Sequence, residues 1–220
     1  MIARVAGGLW TAAVLAFCPS LAQAEDKPSA EAIVARTKAP ASGYSLFHWT
    51  ISRQENRVYS FWAAEFHRGS LHRVETPLDR IVADCKAMTG HHRSLISGKT
   101  LSSREAAETA CGIDMTGAPA LTYAGRLSSP YGDLDVVMLT KDGLRRLYWV
   151  DPAGLLIQSE FRGDNDQPGQ PKLRNWTTEV SRTSPDTAMF TPESLDRSFV
   201  PLERQVDMAP EHFALFEEPE

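Results

Sequence analysis

The residues able to do chemistry are few and scattered. His67 and His72 flank a turn beside Arg68 and Arg73, and His91 and His92 are adjacent. Histidines so placed could bind a metal or exchange protons. Adjacent positions on a strand point to opposite faces, however, so His91 and His92 do not share one ion. The spacing reads more simply as surface histidines near hairpin turns. Asp133 and Asp135 fall on one face of a strand and could form an acid pair, or sit as solvated groups at a strand start. No serine elbow, HExxH, phosphate-binding loop or dinucleotide glycine pattern occurs in the sequence. The reading is therefore of a protein that is not an enzyme, with no catalytic residues, no metal and no cofactor.

Cys18, Cys85 and Cys111 are the three cysteines. The N-terminus carries one early cation, Arg4, then an uncharged, mostly apolar run from Val5 to Phe17, then Ala22-Gln23-Ala24 before Glu25. That order is the layout of a secretory signal cleaved near Ala24. The apolar run is short of the roughly 20 residues a bilayer span requires. Residues 1–24 thus read as a signal peptide, 25–200 as a single domain and 201–220 as a loose, acidic-ended tail. The mature chain is expected in the periplasm or secreted, not transmembrane after cleavage. Cys18 leaves with the leader, and an even pair in an oxidising compartment favours a Cys85–Cys111 disulfide.

The chain has 23 Lys and Arg against 28 Asp and Glu. It contains no basic run, which argues against nucleic acid as a partner. With 42% hydrophobic residues and 23% charged, the composition is that of a folded globule.

The elements that position these residues are mostly strands. Ser29 caps a short helix through Thr37. Strand-like runs follow at 44–53, 58–67, 71–75, 78–85 and 92–96. Ser102 and Glu105 have capping-box spacing and open a helix through Ala110. Strands resume at 121–127, 134–140, 144–150, 155–161 and 173–181, separated by turn chemistry such as Lys141-Asp142-Gly143 and Asp151-Pro152-Ala153-Gly154. Thr191-Pro192 starts a last helical turn. The architecture expected is mainly β: a strongly curved antiparallel sheet of about ten strands, covered by two or three short helices.

Several strands are apolar on both faces, unlike a sheet with one wet side. In 58–66, Val58, Trp62, Ala64 and Phe66 share one face, and Tyr59, Phe61 and Ala63 the other. Either both faces are covered by protein or one lines a cavity. Phe47, Trp49, Trp62, Phe66 and Trp149 are the candidate ligand-binding residues, because pocket walls are mostly aromatic and aliphatic.

The order of features resembles the periplasmic half-barrel family of the outer-membrane lipoprotein carrier and of a sigma-factor regulator of the same shape. The resemblance spans roughly 29–200. It rests on the strand Gly69-Ser70-Leu71-His72-Arg73-Val74-Glu75-Thr76-Pro77 ending in proline, on Ile81-Val82-Ala83-Asp84 with Cys85 in place of the usual glycine, on Leu147-Tyr148-Trp149-Val150-Asp151-Pro152-Ala153-Gly154-Leu155, and on the closing Met189-Phe190-Thr191-Pro192. It implies a half-barrel with an apolar pocket, and a lipid or lipoprotein acyl chain as ligand. The alternative expectation is a structural or regulatory cell-envelope protein that binds protein partners; a hydrolase is third.

Overall fold

The computed structural model describes residues 27–54, 57–115, 117, 119–163 and 172–205. The signal segment 1–24 and residues 206–220 lie outside the described residues.

Helix α1 runs Ala30–Lys38, with Ser29 accepting from the Ala32 amide as N-cap. Eleven strands follow in order: β1 Tyr44–Gln54, β2 Arg57–Arg68, β3 Leu71–Glu75, β4 Asp79–Asp84, β5 Thr89–Ser94 and β6 Thr100–Ser103; then, after helix α2 at Arg104–Ala110, β7 Ala120–Ser129, β8 Gly132–Lys141, β9 Leu144–Val150, β10 Leu156–Gly163 and β11 Leu173–Ser181. They form one antiparallel sheet in the order β6-β5-β4-β3-β2-β1-β11-β10-β9-β8-β7. Sequence neighbours pair antiparallel except β6 and β7, which are the two edges of the sheet. The single non-local step brings β11 back beside β1, with Trp49 opposite Trp176. Short 3-10 turns at Thr187–Phe190, Pro192–Asp196 and Leu202–Arg204 end the described chain.

Among the described residues the sheet has eleven strands, in keeping with the expected antiparallel sheet of about ten. The additional one, β6, is short, polar and wholly exposed at an edge, so it lacks the apolar run that marks a strand. Ser103, not Ser102, is the N-cap of α2: its side chain accepts from the Ala106 amide, and strand pairing continues up to it. The tail expected to be loose from Pro201 begins with the ordered turn at Leu202–Arg204, where Gln205 donates to the Val200 carbonyl.

Both helices cover the same face of the sheet. Ile33 and Val34 of α1 pack with Val137, Leu139, Tyr148 and Val150. Ala106, Ala107 and Ala110 of α2 pack with Ile81, Ala83 and the cystine. Cys85 and Cys111 form a disulfide, with Cα atoms 5.4 Å apart, that fixes the end of α2 to the end of β4. The helix ends meet where the Ile113 amide donates to Thr37 Oγ1. Gly112 at φ +67° allows this approach, since a Cβ there would lie 2.5 Å from that oxygen.

The opposite, outer face is crossed by the C-terminal segment. Arg73 and Glu75, both fully buried, clamp it. Arg73 donates to Glu75, to the carbonyls of Met189, Ser194 and Arg197 and to the Ser194 hydroxyl; Glu75 accepts from the Phe199 amide and the Ser198 hydroxyl.

Candidate functional site

A cavity of about 570 Å³ lies on the helix-covered face, between the middle of the sheet and α2. Strand alternation decides what lines it. On β2 the inward positions are Phe61, Ala63, Glu65 and His67; on β1 they include Tyr44, His48 and Thr50, each opposite one of those residues or its same-face neighbour. Tyr148, Leu156, Ser159, Phe161, Leu173 and Asn175 continue the wall across β9, β10 and β11. The walls therefore combine apolar and aromatic side chains with the polar Ser159 and Asn175.

The floor is polar. His67 Nε2 donates to Glu65 Oε2 at 3.0 Å, and His48 Nδ1 stands 4.0 Å from Glu65 Oε1. Tyr44 stacks on the His67 ring with centroids 4.2 Å apart. Behind His67, His72 meets it edge-on at 3.9 Å and donates from Nδ1 to the Ala110 carbonyl at the end of α2. Beside this cluster Thr50 donates to Asn175, which donates to Ser159, linking β1, β11 and β10 across the face. Burial lowers the pKa of His67 to about 3 and, with repulsion from His67 adding to it, that of His72 to about 3. Burial also lowers His48, against the opposing pull of Glu65. Burial, then the Glu65 and Asp151 carboxylates, raises the Tyr44 phenol well above its usual value. The rim carries Glu105, Glu108 and Asp114, with Arg104 at 2.8 Å from Glu108 and Arg146 at 3.9 Å from Asp114.

His67 and His72 are thus buried, not surface residues beside a turn as their sequence position implies. Their strand parity places them under α2, in line with Glu65, Val74 and Ala83. His91 and His92 are half-buried on β5, and His92 Nε2 lies 2.6 Å from Asp79. Asp133 and Asp135 do not act as a pair. Asp133 is exposed and accepts from Ser128, while Asp135 is buried and accepts from Arg36 and Arg126. Burial opposes ionisation of Asp135, but those two guanidinium hydrogen bonds outweigh it and hold its carboxyl below the usual range. His72 with Cys85 and Cys111 places three donor atoms within 4.8 Å of one another, with both sulfurs already in the disulfide.

Phe47, Trp49, Trp62, Phe66 and Trp149 are not among the residues lining this cavity. The register places them on the outer face. Trp149 pairs with Gln158, Gln158 with Trp176, Trp176 with Trp49, and Trp49 with Trp62. Directly opposed residues share a face, so the four tryptophans of the described chain form one row across five strands. Trp62 is buried under Val200, with Phe47, Trp49 and Phe66 packed around it. Phe47 and Phe66 also border a small cavity of about 80 Å³ beneath Phe199, Val200 and Pro201. Trp149 packs against the cluster of Tyr44, Leu46, Leu134, Leu155 and Ile157. The cavity face carries the polar residues instead, at His48, Thr50, Glu65 and His67. That polar alternation inside runs otherwise built for burial was the signal available in the sequence.

No helix among the described residues is long and apolar enough to cross a membrane. No family model matches the chain, and no curated protein matches it. Among solved structures it is similar to an uncharacterized conserved protein from Thermus thermophilus, at 15% identity over 80% of this chain and 96% of that one, with a TM-score of 0.48. It is also similar to MucB, at 13% identity over 80% of this chain and 64% of that one, with a TM-score of 0.45. A LolA superfamily protein from Nitrosomonas europaea matches at 10% identity over 77% of this chain and all of that one, with a TM-score of 0.39.

Proposed function

We propose that the chain is a periplasmic, non-enzymatic binding protein that holds a lipid or lipoprotein acyl chain in the cavity between the sheet and α2. The observation that carries this reading is the cavity itself. Its volume of about 570 Å³ lies within the usual range for small-molecule sites, roughly 300–1,000 Å³. Phe61, Ala63, Val74, Tyr148, Leu156, Phe161 and Leu173 give it apolar walls. The sequence-level resemblance implies the same ligand class. The test is to titrate the delipidated chain, without residues 1–24, with an uncharged fluorescent acyl probe. Saturable micromolar binding that Ala63→Phe weakens, by filling the space, and that the outer-face change Phe47→Ala leaves intact supports the reading. No saturable binding overturns it.

A second reading, an envelope protein that docks a protein partner, is favoured by one observation. Trp49, Trp149 and Trp176 of the outer row are only half-buried.

A further inference from the structure

The floor of the cavity holds a carboxylate without a cation. Glu65 approaches only His48 and His67 within ion-pair distance among the described residues, and no Lys or Arg. Burial keeps both imidazoles in the neutral form near neutral pH. Buried or half-buried charges are ordinarily paired, because an isolated ion loses its hydration without compensation. Here the Glu65 side chain is 20% exposed, and that exposure is toward the cavity.

The surrounding groups ask for the same kind of partner. With Nε2 donating to Glu65, His67 is a neutral donor to that carboxylate and adds no positive charge to the floor, and it is only 2% exposed. Phe61 and Tyr148 offer aromatic surface along the cavity, and aromatic faces attract cations, as the Phe161 ring does with Arg146 at 5.2 Å. At the rim, Glu108 pairs with Arg104 and Asp114 with Arg146, which leaves Glu105 as a carboxylate with no ion pair among the described residues and a small net negative charge at the entrance. An anionic head at the floor would meet Glu65, which no Lys or Arg among the described residues offsets.

We propose that the cavity takes an amphiphile whose polar end is a hydrogen-bond-donating cation of the alkylammonium class, seated against Glu65 with its chain along the apolar walls. This rests on the cavity's being the ligand site, and it specifies which end group that site selects. A carboxylate-headed chain is the disfavoured class, and an uncharged chain is intermediate.

The experiment compares decylammonium, decanol and decanoate by calorimetric titration of the delipidated protein at pH 7, below micelle-forming concentrations, in wild type and in Glu65→Gln. The amide keeps the shape of the side chain and removes its charge. The expected result is decylammonium binding about tenfold or more tighter than decanol, a gap typical of one charge-assisted hydrogen bond, with decanoate weakest. In Glu65→Gln the advantage of the ammonium should fall to about twofold or less. Equal affinities for all three, or decanoate binding best, overturns the charge selectivity while leaving the cavity as a chain-binding site. Binding of none of them, together with failure of the uncharged acyl probe, overturns both. If Glu65→Gln fails to fold, the wild-type ranking decides the question alone.

Discussion

Lowering the pH from 7 to 5 should cost this protein several kcal/mol of stability, through two histidines. His67 and His72 are 2% and 0% exposed, and burial holds both at a pKa of about 3 in the folded state. In the unfolded chain each returns to about 6.5. The folded pKa is depressed below the unfolded one, so between about 6.5 and 3 the unfolded state binds more protons. Stability is therefore complete above pH 6.5 and falls as pH drops through that window. Each histidine contributes a loss of just under about 2 kcal/mol between pH 7 and pH 5, or about 4 kcal/mol for the pair. His48, lowered in the same direction, adds to it. That is a large share of the roughly 5–15 kcal/mol that holds an ordinary domain together. Depressed carboxyls such as Asp135 lose their contribution only at lower pH, so the window isolates the imidazoles. Urea melts at pH 7, 6 and 5 give the free energies, and NMR of the imidazole protons gives the folded-state titration. His72→Met removes one of the two groups and should roughly halve the slope contributed by the pair. It also leaves the Ala110 carbonyl without its donor, at a cost of about 1 kcal/mol at every pH. A change below about 1 kcal/mol between pH 7 and 5, or His67 and His72 titrating near 6.5 in the folded protein, would refute the reasoning.

Arg73→Ala should destabilise by about 3–5 kcal/mol in urea melts, because it leaves buried Glu75 with only the longer 3.9 Å contact to Arg80 and frees the carbonyls of Met189, Ser194 and Arg197. Cys85→Ala and Cys111→Ala should each cost about 3.5 kcal/mol for a crosslink 26 residues apart in sequence, and the double change little more, since both remove one bond; a thiol assay on the denatured, unreduced protein should find neither sulfhydryl. Gly90→Ala should cost about 1–3 kcal/mol and disturb α2, because its Cβ would sit 2.6 Å from the Ala107 nitrogen, as melting and amide exchange in α2 would show. Trp62→Ala should lower stability by about 3–5 kcal/mol as a core truncation yet leave acyl-probe affinity within about twofold in the folded fraction.

The strand boundaries were legible because the turns carry their own chemistry. Asp142 at φ +50° and Gly143 at φ +73° form a connection that demands left-handed residues, and the β8 and β9 runs read cleanly on either side of it. The start of β5 was harder. Thr89-Gly90-His91 has little strand character, and Gly90 is there because α2 packs against its backbone, a reason that is tertiary rather than local. The pairing of β1 with β11 joins positions more than a hundred residues apart and leaves no local trace. The disulfide followed from cysteine count and compartment, but the burial of His72 beside it did not, since its place under α2 depends on the register of β3 with β4.

Strand parity was the decisive quantity that the sequence left ambiguous, and its resolution explains how the two faces divide their tasks. Aromatic content alone points to Trp49, Trp62 and their neighbours as pocket walls, because apolar surface and cavity are easily equated. The fold uses that surface otherwise. The outer face is where the C-terminal segment must be held, and Trp62, Ala64 and Phe66 meet Val200 there while Arg73 and Glu75 fix the backbone of residues 189–199. With adhesion supplied on that side, and by the small alanine face of α2 at one end of the inner side, the middle of the inner face is not required to close. Side chains that would be costly in a sealed core, Glu65, His48, Thr50 and Asn175, can stand there because the space above them is open. The polar residues of the floor are thus the consequence of an unfilled interior, and the place where a ligand's own polar group completes the hydrogen bonding.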